Sequence, residues 1–426
     1  MQILYLALDC PLPANNGLRM RTAAMLSALR AEGCRTTLVC LQATESLSAR
    51  AQLQHLCEAH WILDHRIPSL SQGQHLLGRV HAAAARLPFA ALRFRSAAAR
   101  TLVQQLWDSA AWDALICDTV FSAINVPARV QPLIVNHHNL EHRIFDSYCA
   151  VERHPLKRAA ARWESRRVRA WEAQVGARSS GNLVCSEVDR EGLLAQQPGA
   201  TVVVAPNIAP NIAPIISPEL PDTGDSVVPE RDGGILFQGA LDWLPNRDAV
   251  EYLLAEIWPR VRARHPMARL KILGRNPPAA FLARHRHHPG VEFTGSVPDT
   301  APYLAEAAIS VVPLRIGSGT RLKILEAAAM GKAVVSTTLG AEGLKFLNGE
   351  EILLADAPDA FAASISALLA SARLRRDLGR AAHARVQSEY SLDALRCQLR
   401  GALQGLHRAQ QDSQWTAAPE GAAQEA

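Results

Sequence analysis

The sequence predicts an α/β protein made of two Rossmann-like domains that face each other across a cleft. Its 426 residues are too many for one ordinary core and suit two domains of about 200 residues each. Short apolar segments alternate with amphipathic helical segments in both halves, which is typical of parallel βαβ units. A proline-rich stretch at 205–233 separates the two series and predicts an interdomain linker. Because such domains bind ligands at the carboxyl ends of their strands, we expect the site in the cleft.

The predicted elements follow from apolar periodicity and from the turn residues that bound each run. The predicted strands lie at residues 2–8, 36–41, 60–63, 114–117, 133–136 and 182–185, then at 235–238, 270–273, 291–294, 309–313 and 333–337. The predicted helices lie at residues 18–31, 93–109, 156–177, 249–265, 321–330 and 358–369. The domain division that we predict is an N-terminal domain at 1–205, a linker at 206–232, a C-terminal domain at 233–385, a C-terminal helix at 386–408 and a disordered tail at 409–426.

Composition excludes several classes of protein. Hydrophobic residues make up 48% and charged residues 20%, so both halves can form cores. The net charge of +5 permits an anionic ligand or an acidic membrane surface, and no nucleic-acid-binding module is present in the sequence. The eight scattered cysteines form no Cys-x-x-Cys pair, which favours buried thiols in a reducing compartment. No apolar segment reaches the ~20 residues of a membrane span, so we expect a cytoplasmic protein.

The strongest chemical signal is the run VVPLRIGSGTRLKILEAAAMGKAVVS, which predicts a strand, a glycine loop and a helix. Gly317 and Gly319 allow backbone N–H groups to approach a ligand, and the helix N-terminus adds positive charge, so the run favours a diphosphate. Arg321 and Lys323 add mobile positive charge. Glu326 shares a helix face with Lys323 and is better placed for ribose hydroxyls than for phosphate. The alternative is an exposed glycine hinge beside an ordinary surface ion pair.

This run resembles the donor-binding segment of family 4 glycosyltransferases, which are retaining enzymes of the two-domain GT-B fold. Residues 237–274, 291–314 and 336–344 resemble further segments of that family's C-terminal domain, in the same order. The resemblance implies a hexosyl- or related transferase that uses a nucleotide diphosphate-sugar, in exopolysaccharide or other cell-surface glycan synthesis. It also implies that the C-terminal helix returns to the N-terminal domain.

The resemblance implies roles for individual residues. A glutamate at the position of Glu326 binds the nucleotide ribose in the family, and basic residues, here Arg321 and Lys323, hold the diphosphate. The family often carries an acidic residue ahead of that glutamate, where we place Gly319; we interpret the chain as a member of a G-S-G-T-R-x-K-x-L-E subgroup. Arg247 is our candidate for a basic residue common early in this domain. The candidate donor contacts in the C-terminal domain comprise Gly239, Arg247, Gly317, Ser318, Gly319, Thr320 and Leu322.

Two N-terminal segments resemble the family more weakly. PLPANNGLR resembles its first glycine-bearing loop, in which Gly17 would approach the transferred sugar or phosphate; a plain Asn-Gly turn is the alternative. NHHNLEHR follows the strand at 133–136, where the family has a histidine beside the reacting sugar. The H-N-x-E form begins at His138, which we therefore assign to that role with His137 as the near alternative.

A metal site is the competing interpretation of this histidine segment. His138 and His142 are spaced i, i+4 with Glu141 between them, but the H-E-x-x-H order is absent and no third ligand is evident. The sequence contains no Asp-x-Asp, the pair that commonly holds a divalent ion for a departing diphosphate. We therefore expect neither a metal nor a cofactor besides the donor. A second histidine group, predicted to be solvated, comprises His285, His287 and His288.

The arginine-dense segment 153–178 predicts a helix with Trp163 and Trp171 eight residues apart. A basic helix with aromatic residues can lie on an anionic membrane, so peripheral contact with the inner face of the cytoplasmic membrane stays open. The interpretation that we favour is a solvated helix on which Glu164 and Glu172 form local pairs and the Trp face is buried. The expected partners are a nucleotide-sugar donor and a glycan or lipid-linked acceptor, and not nucleic acid.

Three other functions compete with sugar transfer. A sugar-nucleotide epimerase of the same fold would need paired acid and base groups, and the sequence offers no clear carboxylate pair. A non-catalytic, degenerate transferase acting as a scaffold is supported only by Gly319 and would bind nucleotide without turnover. A dinucleotide-dependent dehydrogenase is disfavoured because Gly-x-Gly-x-x-Gly is missing after the first strand.

Overall fold

The structure, a computed structural model, describes residues 1–42, 51–65, 82, 87–209 and 234–416. Its N-terminal part contains the strands β1 (Gln2–Asp9), β2 (Arg35–Gln42), β3 (Ala59–Ile62), β4 (Ala114–Asp118), β5 (Leu133–Asn136), β6 (Gly181–Val184) and β7 (Val202–Val204). They form one parallel sheet in the order β3-β2-β1-β4-β5-β6-β7. Two core clusters cover this sheet, as the apolar runs of its central strands require.

Helices connect the strands of the N-terminal sheet. They are α1 (Gly17–Ala31), α2 (Phe89–Leu92), α3 (Ala97–Ser109), α4 (Glu141–Val151), α5 (Pro155–Ala177) and α6 (Glu187–Gln196), with 3-10 turns at Leu53–His55 and Ser122–Asn125. The side chain of Asn16 caps α1 by accepting a hydrogen bond from the Arg19 amide at 3.0 Å. That cap fixes the start of α1 immediately after the loop that follows β1.

The C-terminal part forms a second parallel sheet. Its strands are β8 (Gly234–Gln238), β9 (Arg269–Leu273), β10 (Val291–Gly295), β11 (Ile309–Val312), β12 (Ala333–Ser336) and β13 (Leu353–Leu354), in the order β10-β9-β8-β11-β12-β13. Its helices are α7 (Leu244–Tyr252), α8 (Trp258–Arg264), α9 (Ala279–His285), α10 (Ala301–Glu306), α11 (Leu322–Ala329), α12 (Pro358–Ala370) and α13 (Ala372–Glu389). The predicted fold of two Rossmann-like α/β domains is therefore confirmed.

The strand order of each sheet reverses at its centre. The reversal lies between β1 and β4 in the first sheet and between β8 and β11 in the second. Ligands of doubly wound sheets bind at such switch points, outside the carboxyl ends of the strands. Here β4 ends at Asp118 and β8 at Gln238, while β1 and β11 lead into the loops that carry Gly17 and Gly317.

The last helix, α14 (Leu392–Thr416), returns to the N-terminal domain and packs against α1. Leu395 and Leu399 are buried in the N-terminal core. Glu32 accepts hydrogen bonds from Arg396 at 3.0 Å and from Arg400 at 2.7 Å. The helix continues past residue 408 into the segment predicted to be disordered, because residues 406–416 contain no proline or glycine that would stop it.

The segment 249–265 differs from the single helix that the sequence predicts. The helix begins earlier, at Leu244, and a π-helical turn at Leu253–Ile257 separates α7 from α8. Pro259 lies at the start of α8 and has no N–H to donate, so the regular hydrogen-bond ladder cannot run through it. Most of the predicted linker, residues 210–232, and residues 417–426 of the predicted tail lie outside the described residues.

The helix α5 also differs in part from its prediction. Trp171 is buried, but Trp163 is 37% exposed, with the Arg167 guanidinium 4.5 Å from its ring. Glu164 accepts a hydrogen bond from the Ala90 amide at 3.0 Å. The predicted local pair of Glu172 is wrong, because this carboxylate accepts from the Glu141 amide and contacts the His142 ring of α4. Both carboxylates therefore connect α5 to neighbouring segments.

The exposure of side chains and the character of the helices bear on the predictions made for the histidines, the cysteines and a membrane span. His285, predicted to be solvated, is buried, and its ring packs 4.7 Å from that of Phe281. Six of the eight cysteines are buried, Cys149 is half-buried and Cys397 is exposed, and all are free thiols. Among the described residues, none of the helices has both the length and the apolar character that crossing a membrane requires.

Candidate active site

The glycine loop at the switch point of the C-terminal sheet contacts the N-terminal domain. The glycine loop, residues 313–321, follows β11 and lies against α4 of the N-terminal domain. The Gly317 amide donates to the Ser147 hydroxyl at 2.9 Å. Close by, Arg143 on α4 pairs with Glu342 of the C-terminal domain at 2.7 Å. These contacts place the candidate residues of both domains along one interface.

The glycine loop depends on its two glycines. Gly317 has φ +147° and Gly319 has φ +74°, conformations that other residues rarely adopt. A side-chain carbon at Gly319 would lie 2.4 Å from Asn139 Oδ1 and 2.8 Å from the His138 carbonyl oxygen. Position 319 therefore requires glycine both for its backbone and for close approach to the N-terminal domain. The preceding Ser318, which an E-x7-E spacing before Glu326 would select, has a buried hydroxyl without a hydrogen-bond partner.

The side chain of Arg321 stabilises the glycine loop through hydrogen bonds to its backbone. Its Nη1 donates to the carbonyl oxygens of Ser318 and Gly319. Its Nη2 is buried and has no hydrogen-bond partner. Burial lowers the pKa of Arg321 to about 10, although the charges of Glu342 and Asp189 oppose that shift. The side chain thus shapes the loop and keeps one buried donor unused.

Lys323 lies in the first turn of α11. Its Nζ donates to Asn246 Oδ1 at 2.8 Å and lies 4.9 Å from the centre of the Phe237 ring. Burial and the charge of Arg321 lower the pKa of Lys323 to about 7, with Glu326 opposing the shift. A half-buried ammonium whose hydrogen-bond acceptor is an amide oxygen loses part of its hydration, so an anionic ligand at this point would favour its charged form.

Glu326 lies one turn further along α11 and is 9% exposed. Its Oε2 accepts a hydrogen bond from Gln238 Nε2 at 2.6 Å. Burial raises the pKa of Glu326 to about 7, although the bond from Gln238 and the charge of Lys323 oppose this. The sequence interpretation did not single out Gln238, although it is the last residue of a predicted strand and so lies at the sheet edge where ligands bind.

The other candidates of the C-terminal domain have structural partners. Arg247, on α7, donates through Nη1 to the carbonyl oxygens of Leu241 and Asp242 in the preceding loop, at 3.1 and 3.0 Å. Gly239 leaves room for Asn246, whose Cγ would lie 2.7 Å from an added side-chain carbon. Gly17 lies beside Leu322, whose Cδ1 would be 3.5 Å from an added carbon. The first loop of the N-terminal domain thus reaches the start of α11.

On the N-terminal side, His138 is held by a buried carboxylate. Its Nε2 lies 2.8 Å from Asp118 Oδ1, and Asp118 also accepts from Tyr5 at 2.7 Å and from Thr22. Burial alone would raise the pKa of Asp118, but His138 and these hydrogen bonds hold it below its usual value. The sequence interpretation missed Asp118, whose signal is an acid directly after the predicted strand 114–117.

The neighbouring histidines have separate partners. His142 Nδ1 lies 2.5 Å from Glu172 Oε2, and His137 Nε2 lies 3.0 Å from Asn182 Oδ1. Burial and the charge of Glu172 raise the pKa of Glu141 to about 8. Within the described ranges, no three His, Cys, Asp or Glu side chains are grouped so as to hold a metal ion.

The second domain matches a known protein family. Residues 232–371 match the family model described as glycosyl transferases group 1. This range contains the glycine loop, Lys323 and Glu326. No curated protein matches the chain.

Solved structures resemble the whole chain. A sucrose-phosphate synthase from Thermosynechococcus elongatus has a TM-score of 0.67 and 18% identity, and the match covers 96% of this chain and 100% of that one. HepE from Anabaena, in complex with UDP and glucose, has a TM-score of 0.61 and 14% identity over 95% of this chain and 99% of its own. WaaG, a glycosyltransferase involved in lipopolysaccharide biosynthesis, has a TM-score of 0.59 and 12% identity over 95% and 99%. At these identities the likeness establishes the GT-B fold.

Proposed function

We propose that this glycosyltransferase, whose group 1 domain occupies residues 232–371, is a retaining enzyme of family 4. It moves a sugar from a nucleotide diphosphate-sugar to a glycan or lipid-linked acceptor, in exopolysaccharide or other cell-surface glycan synthesis. The nucleotide binds the C-terminal domain, and the acceptor binds the N-terminal domain. The resemblance in sequence supports retention and the glycan context, and the arrangement of charges around α11 supports the donor.

One observation carries this proposal: two half-buried cations lie beside a glycine loop at the switch point of the C-terminal sheet. Arg321 has an unused buried donor, and Lys323 has an amide oxygen as its hydrogen-bond acceptor. A diphosphate would supply the missing negative charge, and the N-terminus of α11 adds to its stabilisation. Glu326 lies one turn further along α11, where it would face the ribose hydroxyls of a nucleotide whose diphosphate binds at the start of that helix.

The proposed transfer breaks the bond between the anomeric carbon and the diphosphate oxygen. The electron pair of that bond leaves with the diphosphate, whose charge Lys323, Arg321 and the loop amides stabilise. The acceptor oxygen forms the new bond to the anomeric carbon on the same face, and its proton passes to the departing diphosphate oxygen. His138, held by Asp118, lines the side of the reacting sugar.

Metal independence is part of the proposal. The sequence has no Asp-x-Asp pair, and the leaving diphosphate would be neutralised by the protein's own cations and by the dipole of α11. Chelation of divalent ions should therefore leave donor binding unchanged.

We also propose that the enzyme works in the cytoplasm, at the inner face of the cytoplasmic membrane. Leu156 is 74% exposed and Trp163 is 37% exposed on α5. The Arg167 guanidinium lies 4.5 Å from the Trp163 ring, and a cavity of about 540 Å³ on the same helix is lined by Arg162, Arg166 and Arg169 together with Asp146 of α4. Exposed apolar side chains next to arginines suit the headgroup region of an anionic bilayer.

Two substitutions test the donor assignment. Lys323→Ala and Glu326→Ala should each abolish release of nucleoside diphosphate from a UDP-, GDP- or ADP-sugar, with the circular dichroism spectrum unchanged. Lys345→Ala is a matched control, because its Nζ pairs with Glu389 at the surface, 2.8 Å away. Wild-type rates in both site variants would overturn the assignment. Nucleotide binding without turnover in the unmodified protein would favour the degenerate scaffold.

A further inference from the structure

A continuous series of hydrogen bonds joins the glycine loop to His138 across the domain boundary. It begins at Thr320, whose hydroxyl accepts a hydrogen bond from Asn207 Nδ2 at 2.7 Å. Asn207 follows β7 and directly precedes the segment that connects the domains. Its Oδ1 accepts from Arg21 Nη1 at 3.0 Å. The single carboxamide of Asn207 therefore contacts both domains at once, as a donor on one side and as an acceptor on the other.

Arg21 continues the series inside the N-terminal domain. It is 3% exposed, and its Nη2 donates to Asn136 Oδ1 at 2.7 Å. The amide of Asn136 then donates to Asp118 Oδ1 at 2.7 Å. The same oxygen, Asp118 Oδ1, lies 2.8 Å from His138 Nε2. The four inner members, Asn207, Arg21, Asn136 and Asp118, each make at least two side-chain hydrogen bonds, so a displacement of one changes the geometry available to the next.

Arg21 can couple the positions of its hydrogen-bond partners, because its guanidinium is planar and its hydrogen bonds have fixed directions. Its acceptors are the side-chain oxygens of Asn136 and Asn207 and the carbonyl oxygen of Ala205. None of the three is a carboxylate, so these contacts set orientation more than they neutralise charge. Moving Asn207 would therefore reorient Arg21 and, through Asn136, the carboxylate that holds His138.

We propose that Asn207 is a positioning residue that couples occupancy of the glycine loop to the orientation of His138. The proposal rests on the proposed function, because it takes the glycine loop as the nucleotide site. When a diphosphate binds this loop, Thr320 is fixed, and the series Asn207, Arg21, Asn136 and Asp118 transmits that constraint. His138, which the series already holds in the absence of a ligand, is then held more tightly when the donor is bound.

Hydrogen–deuterium exchange on the full chain tests this coupling, with an equimolar mixture of UDP, GDP and ADP as the probe. In the wild-type protein the nucleotides should slow amide exchange both in residues 315–322 and in residues 136–140. In Asn207→Ala the slowing should persist in 315–322 and fall by about 2- to 10-fold in 136–140, as expected for the loss of one neutral hydrogen bond. If Asn207 only stabilised the fold, Asn207→Ala would change amide exchange in 136–140 by the same factor with and without nucleotide.

Thr320 provides a second variant and a control on the other side of the boundary. Thr320→Val removes the hydroxyl and should speed exchange in 136–140 even without nucleotide, whereas Thr320→Ser retains the hydroxyl and should behave like the wild type. Full nucleotide protection of 136–140 in Asn207→Ala, or unchanged exchange there in Thr320→Val, would overturn the coupling while leaving the donor site intact. Absence of protection at 315–322 in the wild type would instead refute the proposed function.

Discussion

Lys323 and Glu326 lie one turn apart on α11, and each has a pKa of about 7 because the site buries it. Their opposite charges interact, so the protonation of one side chain affects the pKa of the other. In the ligand-free protein the ammonium is only half populated near neutral pH. An anionic ligand would raise the pKa of Lys323. Above neutral pH, binding of the ligand would therefore be accompanied by uptake of a proton by Lys323.

We therefore predict that the affinity for UDP, GDP or ADP falls as pH rises from 7 to 9. The pKa of Lys323 is lowered to about 7 by burial, so the ammonium that a diphosphate needs is present below pH 7 and is lost above it. The dissociation constant should rise by up to about tenfold per pH unit. Isothermal titration calorimetry measures this, and Lys323→Arg, which stays charged, should remove the dependence. Equal slopes in both proteins would exclude Lys323 as the titrating contact.

Glu326 makes a separate prediction about the ribose. Glu326→Gln should weaken nucleoside diphosphate binding by about 10- to 100-fold, since hydrogen bonds to a charged acceptor contribute about 1.5–3 kcal/mol. Inorganic diphosphate lacks the ribose and should bind both proteins equally, which competition titration can compare. Glu351→Gln is a matched control, because Glu351 is as buried as Glu326 but pairs with Arg385 away from the site. Equal losses for both ligands would mean that Glu326 acts on the loop and not on the ribose.

Gly317, Lys323 and Glu326 can be singled out from the sequence as candidates because their signals are local. A glycine loop, a helix start and an i, i+3 spacing can be recognised within ten residues. Gln238 and Asp118 could not be assigned roles in this way. Gln238 meets Glu326 from 88 residues away, and Asp118 meets Tyr5 from 113 residues away, so their functions exist only after the strands have been ordered in the sheet.

Among the elements, the glycine loop approaches the N-terminal domain closely at Gly319. Gly319→Ala should lower nucleotide affinity and reduce activity strongly, because the new carbon would collide with Asn139 and the His138 carbonyl. Gly17→Ala should be tolerated sterically, since its added carbon would meet only Leu322 at 3.5 Å. Thermal stability and nucleotide titration of both variants provide the comparison. A fully active Gly319→Ala protein would show that the loop does not need this approach.

The return of α14 to the N-terminal domain gives a stability prediction. Leu399→Ala should destabilise the protein by about 2–5 kcal/mol, because the side chain is 1% exposed in the N-terminal core. Glu32→Gln removes the surface pairs with Arg396 and Arg400 and should cost much less. Urea unfolding of both variants separates burial from ion pairing. A larger loss in Glu32→Gln would mean that charge, not packing, holds the helix.

Elements whose form depends on tertiary context were harder to predict. The apolar period predicted α1, α3, α5, α11 and α12 but not α4, α6 or α13. It also could not reveal the π-helical turn at Leu253–Ile257, which interrupts a continuous apolar pattern. Trp163 illustrates the same limit on α5: Trp171, eight residues later, is buried, but only the packing of neighbouring helices shows that Trp163 is partly exposed.

In the whole molecule, the two sheets would supply different halves of the proposed site. The C-terminal sheet supplies Lys323 and Glu326, and the N-terminal sheet supplies His138 with its carboxylate partner. The Arg143–Glu342 pair and the bond from Gly317 to Ser147 hold these halves against each other. The proposed transfer requires both, since the leaving diphosphate and the reacting sugar would lie on opposite sides of the boundary.

The most direct test of the central claim is the thermal stability of the protein against a panel of nucleoside diphosphates and their sugars, with and without EDTA. We predict a rise in Tm that is selective for one base, unaffected by EDTA, lost in Lys323→Ala and retained in Lys345→Ala. No rise with any nucleotide would contradict the donor site. A rise that EDTA abolishes would contradict the metal-independent account and point to a divalent ion at the diphosphate.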